Sequence, residues 1–592
     1  MIRYQAPLSD IQFLLFDVLK SHERFSELPI GEDYSRDLVE SVLTEMGKFV
    51  EGVFLPVNSK GDQEGCQYDA ETRSVKAPPS YHPAFKQFVE GGWPALSAPA
   101  EYGGQGLPHL VNVVFDELCA STNTSLSMYF GLTHGAIVAL DKHADEALKN
   151  RYIKQLVSGE WTGTMCLTEP HCGTDLGLIK TKAEPVEGKE NTFRLNGNKI
   201  WITGGEHDFT DNIIHLVLAK LPDAPEGSKG ISLFIVPKVL DDGSRNGIYC
   251  TGLEHKMGIN GSATCFISME DAEGYLIGEP HQGLKYMFSM MNSARIMVGV
   301  QGLGLAETAY QTALSFARER DQGRSLAGVK QPEKPADNIL VHPDVRRMLL
   351  SQKAMLEGCR ALAYWVGMNL DISHHHPDEA VRERASDLVE MLTPVVKAFI
   401  TDQGYLAVDQ AVQTLGGSGF TKDWGIEQLL RDCRIARIYE GTNGIQALDL
   451  VGRKLPMRNG RAVKTLISEM VDFANNCSDH STQSKLRHGV GVLSDALGWL
   501  TMNAFQDREV AGSAATPLLQ LFGTVTVGYL LAKSGQVAQD LLDGGDTREQ
   551  FLMTKMKTRD FYFTEVMPEV DTLAQRIKAG KQHLMAFDAE DF

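Results

Sequence analysis

The chain has 592 residues, an apolar content of 43% and a formal net charge of −19. This length and apolar content allow a large globular core and, by length alone, about four domains. The negative charge argues against a nucleic-acid partner, because the protein and the phosphates would repel each other at long range. The 9 cysteines are scattered without a Cys-x-x-Cys pair, which argues against a zinc site or a disulfide framework and favours a reducing compartment.

The first predicted region, residues 1–160, is helical. Its beginning lacks the apolar stretch of a signal peptide, and Asp10, Glu23 and Glu27 argue against a transit peptide. We therefore expect a cytoplasmic location in a bacterium. Between residues 35 and 159, apolar side chains recur at steps of three and four, which is the period of an amphipathic helix.

The next region, residues 161–282, is predicted to be a small β domain. Within residues 192–203, apolar side chains alternate around Asn196-Gly197-Asn198. An Asn-Gly pair between two alternating runs predicts a β-hairpin. Residues 213–221 and 231–236 are two further predicted strands.

Helical periodicity returns in residues 283–455, which predicts a helical bundle. Apolar stripes indicate helices over residues 296–314, 345–359 and 390–415. The segment 328–338 is rich in proline and charge and is predicted to be a loop insertion.

Residues 456–592 are predicted to be a helical C-terminal extension, with a hinge at Asp543-Gly544-Gly545-Asp546. The longest uncharged run, residues 516–532, contains polar residues and glycines and falls short of the ~20 apolar residues that span a bilayer. We predict a buried helix or a subunit contact there, and no stable membrane insertion. The alternative interpretation is peripheral association with a membrane.

The most informative pattern is Arg437-Ile438-Tyr439-Glu440-Gly441-Thr442-Asn443-Gly444. It places a carboxylate between apolar neighbours and a Gly-Thr turn, directly after a predicted helix at residues 426–434. Desolvation raises the pKa of a carboxylate, which suits a base that takes a proton from carbon. The alternative interpretation of these residues alone is a solvated Glu at the end of a helix.

Three further segments accompany this turn. They are Met165-Cys166-Leu167-Thr168-Glu169-Pro170-His171-Cys172-Gly173-Thr174-Asp175, Lys199-Ile200-Trp201-Ile202-Thr203-Gly204 and Gln413-Thr414-Leu415-Gly416-Gly417-Ser418-Gly419. Together the segments resemble the signature set of the acyl-CoA dehydrogenase family, in the same order and at similar separations. The resemblance covers residues 85–455, and the extension is similar to that of the longer members, with residues 442–454 most like the 3-methylmercaptopropionyl-CoA dehydrogenase group.

The resemblance implies an α+β fold. Its parts are an N-terminal helical domain (1–160), a β-barrel-like middle domain (161–282), a C-terminal four-helix-bundle domain (283–455) and a helical extension (456–592). It also implies FAD, because dehydrogenation of a saturated thioester needs a hydride acceptor and no side chain is one. The sequence has no Gly-x-Gly-x-x-Gly after a strand, so a Rossmann site is not supported.

The resemblance further implies which residues contact FAD. Trp201 would cover one face of the flavin ring, and Thr168 and Thr203 would hydrogen-bond its polar edge. The full implied set of cofactor contacts is Met165, Leu167, Thr168, Gly173, Thr174, Trp201, Ile202, Thr203, Arg320, Gln413, Gly416, Gly417, Thr442 and Asn443. The alternatives are packing within the β domain for Trp201 and a helix C-cap for the Gly-Gly pair.

Arg320 is the candidate for contact with the flavin diphosphate, although the sequence departs from the family pattern there. The usual Arg lies four residues before a Gly that follows a Phe. Arg320 lies three residues before Gly323, and Gln322 replaces the Phe. Arg318 and Arg324 therefore remain alternatives.

Glu440 is the implied catalytic base. Some family members carry the base instead in the helix that corresponds to Asn292-Ser293-Ala294-Arg295, where this chain has Ala294. Alanine cannot take a proton. The implied substrate contacts are Thr174, Asn292, Arg295, Tyr439 and Gly441.

The predicted function is FAD-dependent conversion of a saturated acyl-CoA to the trans-2-enoyl-CoA by a homodimer that passes electrons to electron-transfer flavoprotein. The substrate is a fatty acyl-CoA or 3-(methylthio)propanoyl-CoA, with chain length and branching left open. One alternative is an acyl-CoA oxidase that uses oxygen. Another is a DNA-associated flavoprotein of the same fold, which would need a basic C-terminal face, and a third is a non-enzymatic scaffold.

No metal site is predicted. His374-His375-His376 lies beside Asp371, Pro377 and Asp378 and is interpreted as a solvated loop. Cys166 and Cys172 lack a partner at metal-ligand spacing and are interpreted as small packing residues.

Overall fold

The computed structural model describes residues 2–31 and 34–592, and the chain divides into two compact units. The sheet unit comprises Lys48–Leu107 and Leu118–Met297, and the helical unit comprises Met1–Gly47, Pro108–Glu117 and Val298–Phe592. In chain order the α-helices are α1 (Leu8–Gln12), α2 (Ser21–Phe25), α3 (Arg36–Phe49), α4 (Asn58–Glu64), α5 (Tyr81–Glu90), α6 (His109–His143), α7 (Glu146–Ser158), α8 (Gly283–Glu319), α9 (Pro343–His375), α10 (Glu379–Leu415), α11 (Ile426–Arg434), α12 (Asn443–Asp449), α13 (Arg461–Asn476), α14 (His480–Ala504), α15 (Arg508–Asp543), α16 (Glu549–Phe561) and α17 (Glu569–Lys578). The strands are β1 (Gln67–Asp69), β2 (Ser74–Lys76), β3 (Trp161–Cys166), β4 (Lys182–Pro185), β5 (Phe193–Thr203), β6 (Asn212–Lys220), β7 (Ile231–Pro237), β8 (Ile248–Leu253) and β9 (Thr264–Leu276).

The sheet unit contains a sheet that closes on itself. In the described part of the chain it has 7 strands in the order β3-β6-β4-β5-β9-β7, with β8 paired to β9 and β6 also paired to β7. The circuit from β6 through β4, β5, β9 and β7 back to β6 is a small barrel, so the predicted β-barrel-like domain is confirmed. Strands β6 and β7 confirm the two further predicted strands, and nearly all their residues are buried, as expected for strands covered on both faces.

The predicted hairpin at residues 192–203 is wrong, because Phe193–Thr203 is one continuous strand, β5. Gly197 does not turn the chain. Its φ of 153° lets the backbone run close to Thr181, where a Cβ on residue 197 would lie 2.5 Å from the hydroxyl oxygen. Asn196 exchanges two hydrogen bonds with Asp271 of β9, at 2.8 and 2.9 Å. The Asn-Gly pair is therefore a strand irregularity of the kind that glycine permits.

The helical predictions are confirmed by α8, α9, α10 and α11. Helix α10 begins earlier than predicted, because Asp378 caps it by accepting a hydrogen bond from the backbone N–H of Ala380 at 2.8 Å. The segment 328–338 is irregular, as predicted. Within the mainly helical residues 35–159, the short hairpin β1–β2 was not predicted.

Helices α8 and α10 touch backbone to backbone at Gly302 and Gly404. A Cβ on Gly404 would lie 2.4 Å from the carbonyl oxygen of Gly302. A Cβ on Gly302 would lie 3.0 Å from the Cα of Thr401. Gly404 has no room for a side chain, and one at Gly302 would force the α10 backbone to shift, so this crossing fixes how the two helices are aligned.

The predicted solvated loop around His374-His375-His376 is wrong in part. Helix α9 continues to His375, although His374 and His375 are exposed. Asp371 is 3% exposed and accepts hydrogen bonds from the backbone N–H groups of His109 and Leu110, at 2.8 and 2.9 Å, at the start of α6. Burial raises the pKa of Asp371 to about 7.

Residues 456–592 form α13 to α17, which confirms the predicted helical extension. Helix α15 is the one helix in residues 2–31 and 34–592 that is long and apolar enough to cross a membrane, with a mean hydropathy of 1.4 in its most apolar window. Of that window, 83% is buried in the protein, as predicted for a buried helix. Helix α15 packs against α9, α10 and α12, and a Cβ on Gly523 would lie 2.3 Å from the ring of Phe399.

Candidate active site

The Glu440 turn of the helical unit lies between a 3-10 segment, Ile435–Arg437, and α12. Glu440 has a φ of 55° and Gly441 a φ of 84°, so two consecutive residues occupy the left-handed region. For a non-glycine residue this conformation costs on the order of 1–3 kcal/mol and persists only where the surroundings hold it. At Gly441, glycine is also required by space, since a Cβ would lie 2.6 Å from Nε2 of Gln446.

A buried lysine on α10 supports this turn. Lys397 is 0% exposed and donates hydrogen bonds to the carbonyl oxygen of Gly441 at 2.7 Å and to Oδ1 of Asn443 at 2.8 Å. The Asn443 amide in turn donates to Thr401 Oγ1 at 3.0 Å and to Asp402 Oδ1 at 2.9 Å. The side chain of Asn443 therefore holds the turn, and its contact with a cofactor stays a prediction.

The residues on either side of the Glu440 carboxylate are also tied to helices. The carbonyl oxygen of Glu440 accepts a hydrogen bond from Nε2 of Gln446 at 2.9 Å. The Tyr439 hydroxyl donates to Oε1 of Gln301 on α8. Burial raises the pKa of Tyr439 well above its ordinary value, so this phenol stays protonated. The side chain of Glu440 itself is half-buried on this fixed backbone, which suits a positioned proton acceptor.

In the sheet unit, the structure brings the two predicted strand motifs together. The backbone N–H of Ile200 donates to the carbonyl oxygen of Thr168 at 2.9 Å. Lys199 is 0% exposed and donates to the carbonyl oxygen of Leu167 at 3.0 Å and to Oε1 of Glu169 at 2.9 Å. The segment after β3 is thus joined to β5 by a backbone bond and by a buried ion pair.

The buried carboxylate of Glu169 has several donors besides Lys199. It accepts hydrogen bonds from the backbone N–H groups of Lys180 and Thr181, at 2.7 and 3.1 Å, and from the Thr181 hydroxyl at 2.6 Å. Burial alone would raise the pKa of Glu169, but Lys199 and these hydrogen bonds hold it below the ordinary value. Burial lowers the pKa of Lys199. The charge of each partner favours the charged form of the other and opposes the effect of burial.

Trp201 has a φ of 59° and its side chain is 59% exposed. Its neighbours Ile200 and Ile202 are 9% and 2% exposed, and the pairing of β5 with β9 shifts register at this point. An exposed indole on a strained backbone argues against the alternative that Trp201 only packs within the β domain.

The remaining predicted residues of the sheet unit differ in exposure. Leu167 and Ile202 are buried, Met165, Thr168 and Thr203 are half-buried, and Gly173 and Thr174 are exposed. On α8, Ala294 and Arg295 are 5% exposed, and Asn292 is half-buried. Ala294 has a buried methyl group, which cannot take a proton.

The three candidate arginines after α8 have different surroundings. The Arg324 guanidinium donates to the carbonyl oxygen of Gln331 at 2.9 Å and to Oδ1 of Asp337 at 3.2 Å, which orders the loop insertion. Arg318 and Arg320 are exposed. Arg320 makes one long hydrogen bond, to Oε1 of Gln322 at 3.5 Å, so Arg324 is held by more partners, and which arginine contacts a phosphate stays a prediction.

Helix α10 ends at a Gly-Gly C-cap, which was the alternative interpretation of Gly416 and Gly417. Gly416 has a φ of 59°, and its backbone N–H donates to the carbonyl oxygen of Gln413. Gln413, Gly416 and Gly417 are exposed, so the cap leaves these residues accessible.

Three possible metal ligands, Glu169, His171 and Cys172, have donor atoms within 4.8 Å of one another. The Glu169 carboxylate already accepts the bonds from Lys199, Lys180 and Thr181 described above. His171 Nε2 lies 2.9 Å from the carbonyl oxygen of Leu178. With these partners in place, the group forms a hydrogen-bonded turn.

Sequence reasoning missed Lys199, Lys397 and Asp402. Lys397 lies within an apolar run, since Val395, Val396, Ala398 and Phe399 surround it. A lone lysine in such a run is buried only when it has a partner, and this signal was available. Its partners lie more than forty residues away in sequence, so the pattern cannot name them.

Family models match most of the chain in consecutive segments. The models described as "Acyl-CoA dehydrogenase, N-terminal domain", "middle domain" and "C-terminal domain" match residues 40–160, 164–272 and 281–455. The model described as "Acetyl-CoA dehydrogenase C-terminal like" matches residues 466–588.

Individual proteins are similar over nearly the whole chain. The 3-methylmercaptopropionyl-CoA dehydrogenase of Ruegeria pomeroyi is 40% identical over 586 residues, 97% of this chain and 98% of that protein. A broad-specificity linear acyl-CoA dehydrogenase of Mycobacterium tuberculosis is 32% identical over 624 residues, 100% of both chains. The crystal structure of an acyl-CoA dehydrogenase complexed with FAD from Bacillus anthracis has a TM-score of 0.74 and 20% identity, over 93% of this chain and 90% of that one, which shows a shared fold.

Proposed function

Because this chain belongs to the acyl-CoA dehydrogenase family, we propose that Glu440 is the base that removes the α proton of a saturated acyl-CoA thioester. The protein is an oxidoreductase with acyl-CoA dehydrogenase activity. The observation that carries the assignment of the base is the Glu440 turn, where Lys397 and Gln446 hold the backbone in the left-handed region. A half-buried carboxylate on a fixed backbone suits proton abstraction from carbon.

FAD is the cofactor, and when bound it supplies the acceptor for the β hydride, which no amino-acid side chain can provide. The chain's residues fit a flavin in their chemistry. Trp201 offers an exposed flat indole, Thr168 and Thr203 offer hydroxyl groups, and Arg320 offers an exposed guanidinium for the diphosphate. The other proposed contacts are Met165, Leu167, Gly173, Thr174, Ile202, Gln413, Gly416, Gly417, Thr442 and Asn443.

We propose that the Glu440 carboxylate takes the α proton, and bound FAD would supply the acceptor for the hydride of the β C–H bond. A double bond then forms between the α and β carbons, and the product is the trans-2-enoyl-CoA. The backbone N–H of Glu440 donates to the thioester oxygen and so makes the α carbon more acidic. The proposed substrate contacts are Thr174, Asn292, Arg295, Tyr439 and Gly441.

The proposed substrate is 3-(methylthio)propanoyl-CoA or a linear fatty acyl-CoA. The support is the identity of 40% with the Ruegeria pomeroyi enzyme and of 32% with the Mycobacterium tuberculosis enzyme. We propose electron-transfer flavoprotein as the electron acceptor and a cytoplasmic homodimer as the working form. Turnover of a panel of acyl-CoA thioesters, with and without a thioether, would identify the substrate, and peroxide release in air would identify an oxidase.

The test of the base is Glu440→Gln, with Glu427→Gln as the matched control. Gln preserves size but cannot take a proton, so we expect flavin reduction by acyl-CoA to slow by at least ~100-fold while FAD and acyl-CoA still bind. Glu427 pairs with Arg431 one turn away on α11, and its variant should reduce the flavin normally. An anaerobic titration with acyl-CoA that follows bleaching of the flavin absorbance measures flavin reduction in both variants. Bleaching of Glu440→Gln at the wild-type rate would exclude Glu440 as the base.

A further inference from the structure

Asp402 on α10 connects the Glu440 turn to the C-terminal extension. Its Oδ1 accepts hydrogen bonds from Arg437 Nε at 2.6 Å and from Asn443 Nδ2 at 2.9 Å. These two residues lie three positions before and three positions after Glu440. Its Oδ2 accepts from Nε2 of Gln520 at 2.7 Å, and Gln520 lies on α15. One half-buried carboxylate is therefore shared between both flanks of the turn and the extension.

We propose that Gln520 is a positioning residue for Glu440 and acts through Asp402. The proposal rests on the proposed function, in which Glu440 is the base. It makes the C-terminal extension a working part of the active site, because α15 supplies the donor that orients Asp402.

The geometry explains why a donor is needed there. Glu440 and Gly441 both have positive φ, so the turn depends on bonds from outside it. Asp402 accepts two of these bonds, from Arg437 and Asn443, through Oδ1. Both depend on the orientation of its carboxylate plane, which Gln520 fixes by its hydrogen bond to Oδ2. Oε1 of Gln520 accepts from Nε2 of Gln403 at 3.4 Å, which sets the orientation of the amide.

The position of Gln520 is itself fixed by close packing. Gly523 lies three residues further on α15, and a Cβ there would lie 2.3 Å from the ring of Phe399 on α10. Helix α15 therefore packs Gly523 directly against the Phe399 ring, about one turn of α10 before Asp402. A displacement of the base by about 1 Å can slow an enzyme by about 100-fold, so a small change in this support is measurable.

The experiment uses the full-length enzyme with FAD and compares Gln520→Met with Gln536→Met. Met keeps the length and helix propensity of Gln but donates no hydrogen bond. Gln536 lies on the same helix, and its Oε1 accepts from Ser478 within the extension at 2.6 Å. We expect Gln520→Met to slow flavin reduction by about 10-fold, with FAD content and the Kd for acyl-CoA unchanged. Gln536→Met should match the wild-type rate.

Two additional variants separate positioning from simple docking of the helix. Gln520→Lys restores a donor to Asp402, and we expect it to recover most of the rate. In a Glu440→Asp background the base is already displaced, so Gln520→Met should have a much smaller effect than in the wild type. If Gln520→Met does not yield holoenzyme, Gln520→Glu replaces it, and repulsion from Asp402 is expected to slow flavin reduction.

The outcomes are distinguishable from failure of the proposed function. Wild-type bleaching in Glu440→Gln removes the base assignment itself. An inactive Glu440→Gln together with a wild-type rate in Gln520→Met, or in Gln520→Glu where that variant replaces it, overturns only the role of Gln520. Gln520→Met could also lose FAD or acyl-CoA binding while the remaining holoenzyme keeps the wild-type rate. That result also overturns the positioning role, because Gln520 would then only dock α15.

Discussion

Trp201 in the sheet unit and Glu440 in the helical unit have the same unusual backbone conformation, with φ angles of 59° and 55°. Each segment is held by a lysine that is 0% exposed. The partners differ. Lys199 pairs with the Glu169 carboxylate at 2.9 Å, whereas Lys397 donates to two neutral oxygens, those of Gly441 and Asn443.

This difference separates two ways of fixing a functional residue. A buried ion pair depends strongly on both partners, because loss of one leaves an uncompensated charge. A lysine that binds neutral oxygens can be lost at a smaller free-energy cost, since the groups left behind are polar but uncharged. We therefore expect loss of Lys199 to lower mainly the stability of the protein, and loss of Lys397 to lower mainly its activity.

The largest expected effect on stability is that of Lys199→Met. The variant leaves the Glu169 carboxylate buried at 3% exposure without its cation, which costs about 3–5 kcal/mol of unfolding free energy. Urea denaturation measures the loss. The double variant Lys199→Met with Glu169→Leu should recover part of it, because no charge is then buried. A loss below about 1 kcal/mol in the single variant would contradict the comparison.

Lys397→Met should have a smaller effect on stability and a clear effect on rate. It leaves the Gly441 carbonyl and the Asn443 amide oxygen without this donor, at a cost of about 1–3 kcal/mol. Because the turn also positions Glu440, we expect flavin reduction to slow by about 10-fold. Stopped-flow bleaching measures the rate, and Lys464→Met, at an exposed site on α13, is the control. Equal losses of stability in Lys199→Met and Lys397→Met would remove the distinction.

The smallest expected effect is in acid. The folded-state pKa of Glu169 is held below its ordinary value, so the stability from this group is fully present above that ordinary value. It is lost as the pH falls through the lowered folded pKa. The unfolding free energy of Glu169→Gln should therefore change less with pH over this acid window than that of the wild type. Parallel curves for the two proteins would show that Glu169 does not titrate as proposed.

Much of the fold could be predicted from local patterns. The helix at residues 426–434 is α11, and the apolar stripes mark α8, α9 and α10, because one buried face imposes a helical period. The hairpin predicted from the Asn-Gly pair in β5 was wrong. Gly197 can either form a turn or let the strand pass close to Thr181, and the neighbouring segment decides which. The prediction that Asp371 lies in a solvated loop was wrong for the same reason, because its partner is the start of α6, far away in sequence.

The candidate site shows the same limit. Its motifs indicate which segments matter, and the structure joins the Thr168 and Trp201 segments through the bond from Ile200. The apolar run around Lys397 signals a buried lysine with a partner, but the sequence does not show which residues Lys397, Asp402 and Gln520 contact. Their role comes from helix packing that brings residues together over separations of up to 118 positions.

The contact between Gly302 and Gly404 has a consequence for redesign of the enzyme. Gln301, which accepts from Tyr439, is next to Gly302, and Asp402 lies two residues before Gly404. The positions of Gln301 and Asp402 therefore depend on a contact between two backbones, which no change of side-chain rotamer can adjust. A library of variants made to find new substrates should keep Gly302 and Gly404 unchanged. A side chain at either position would displace Gln301 and Asp402 together.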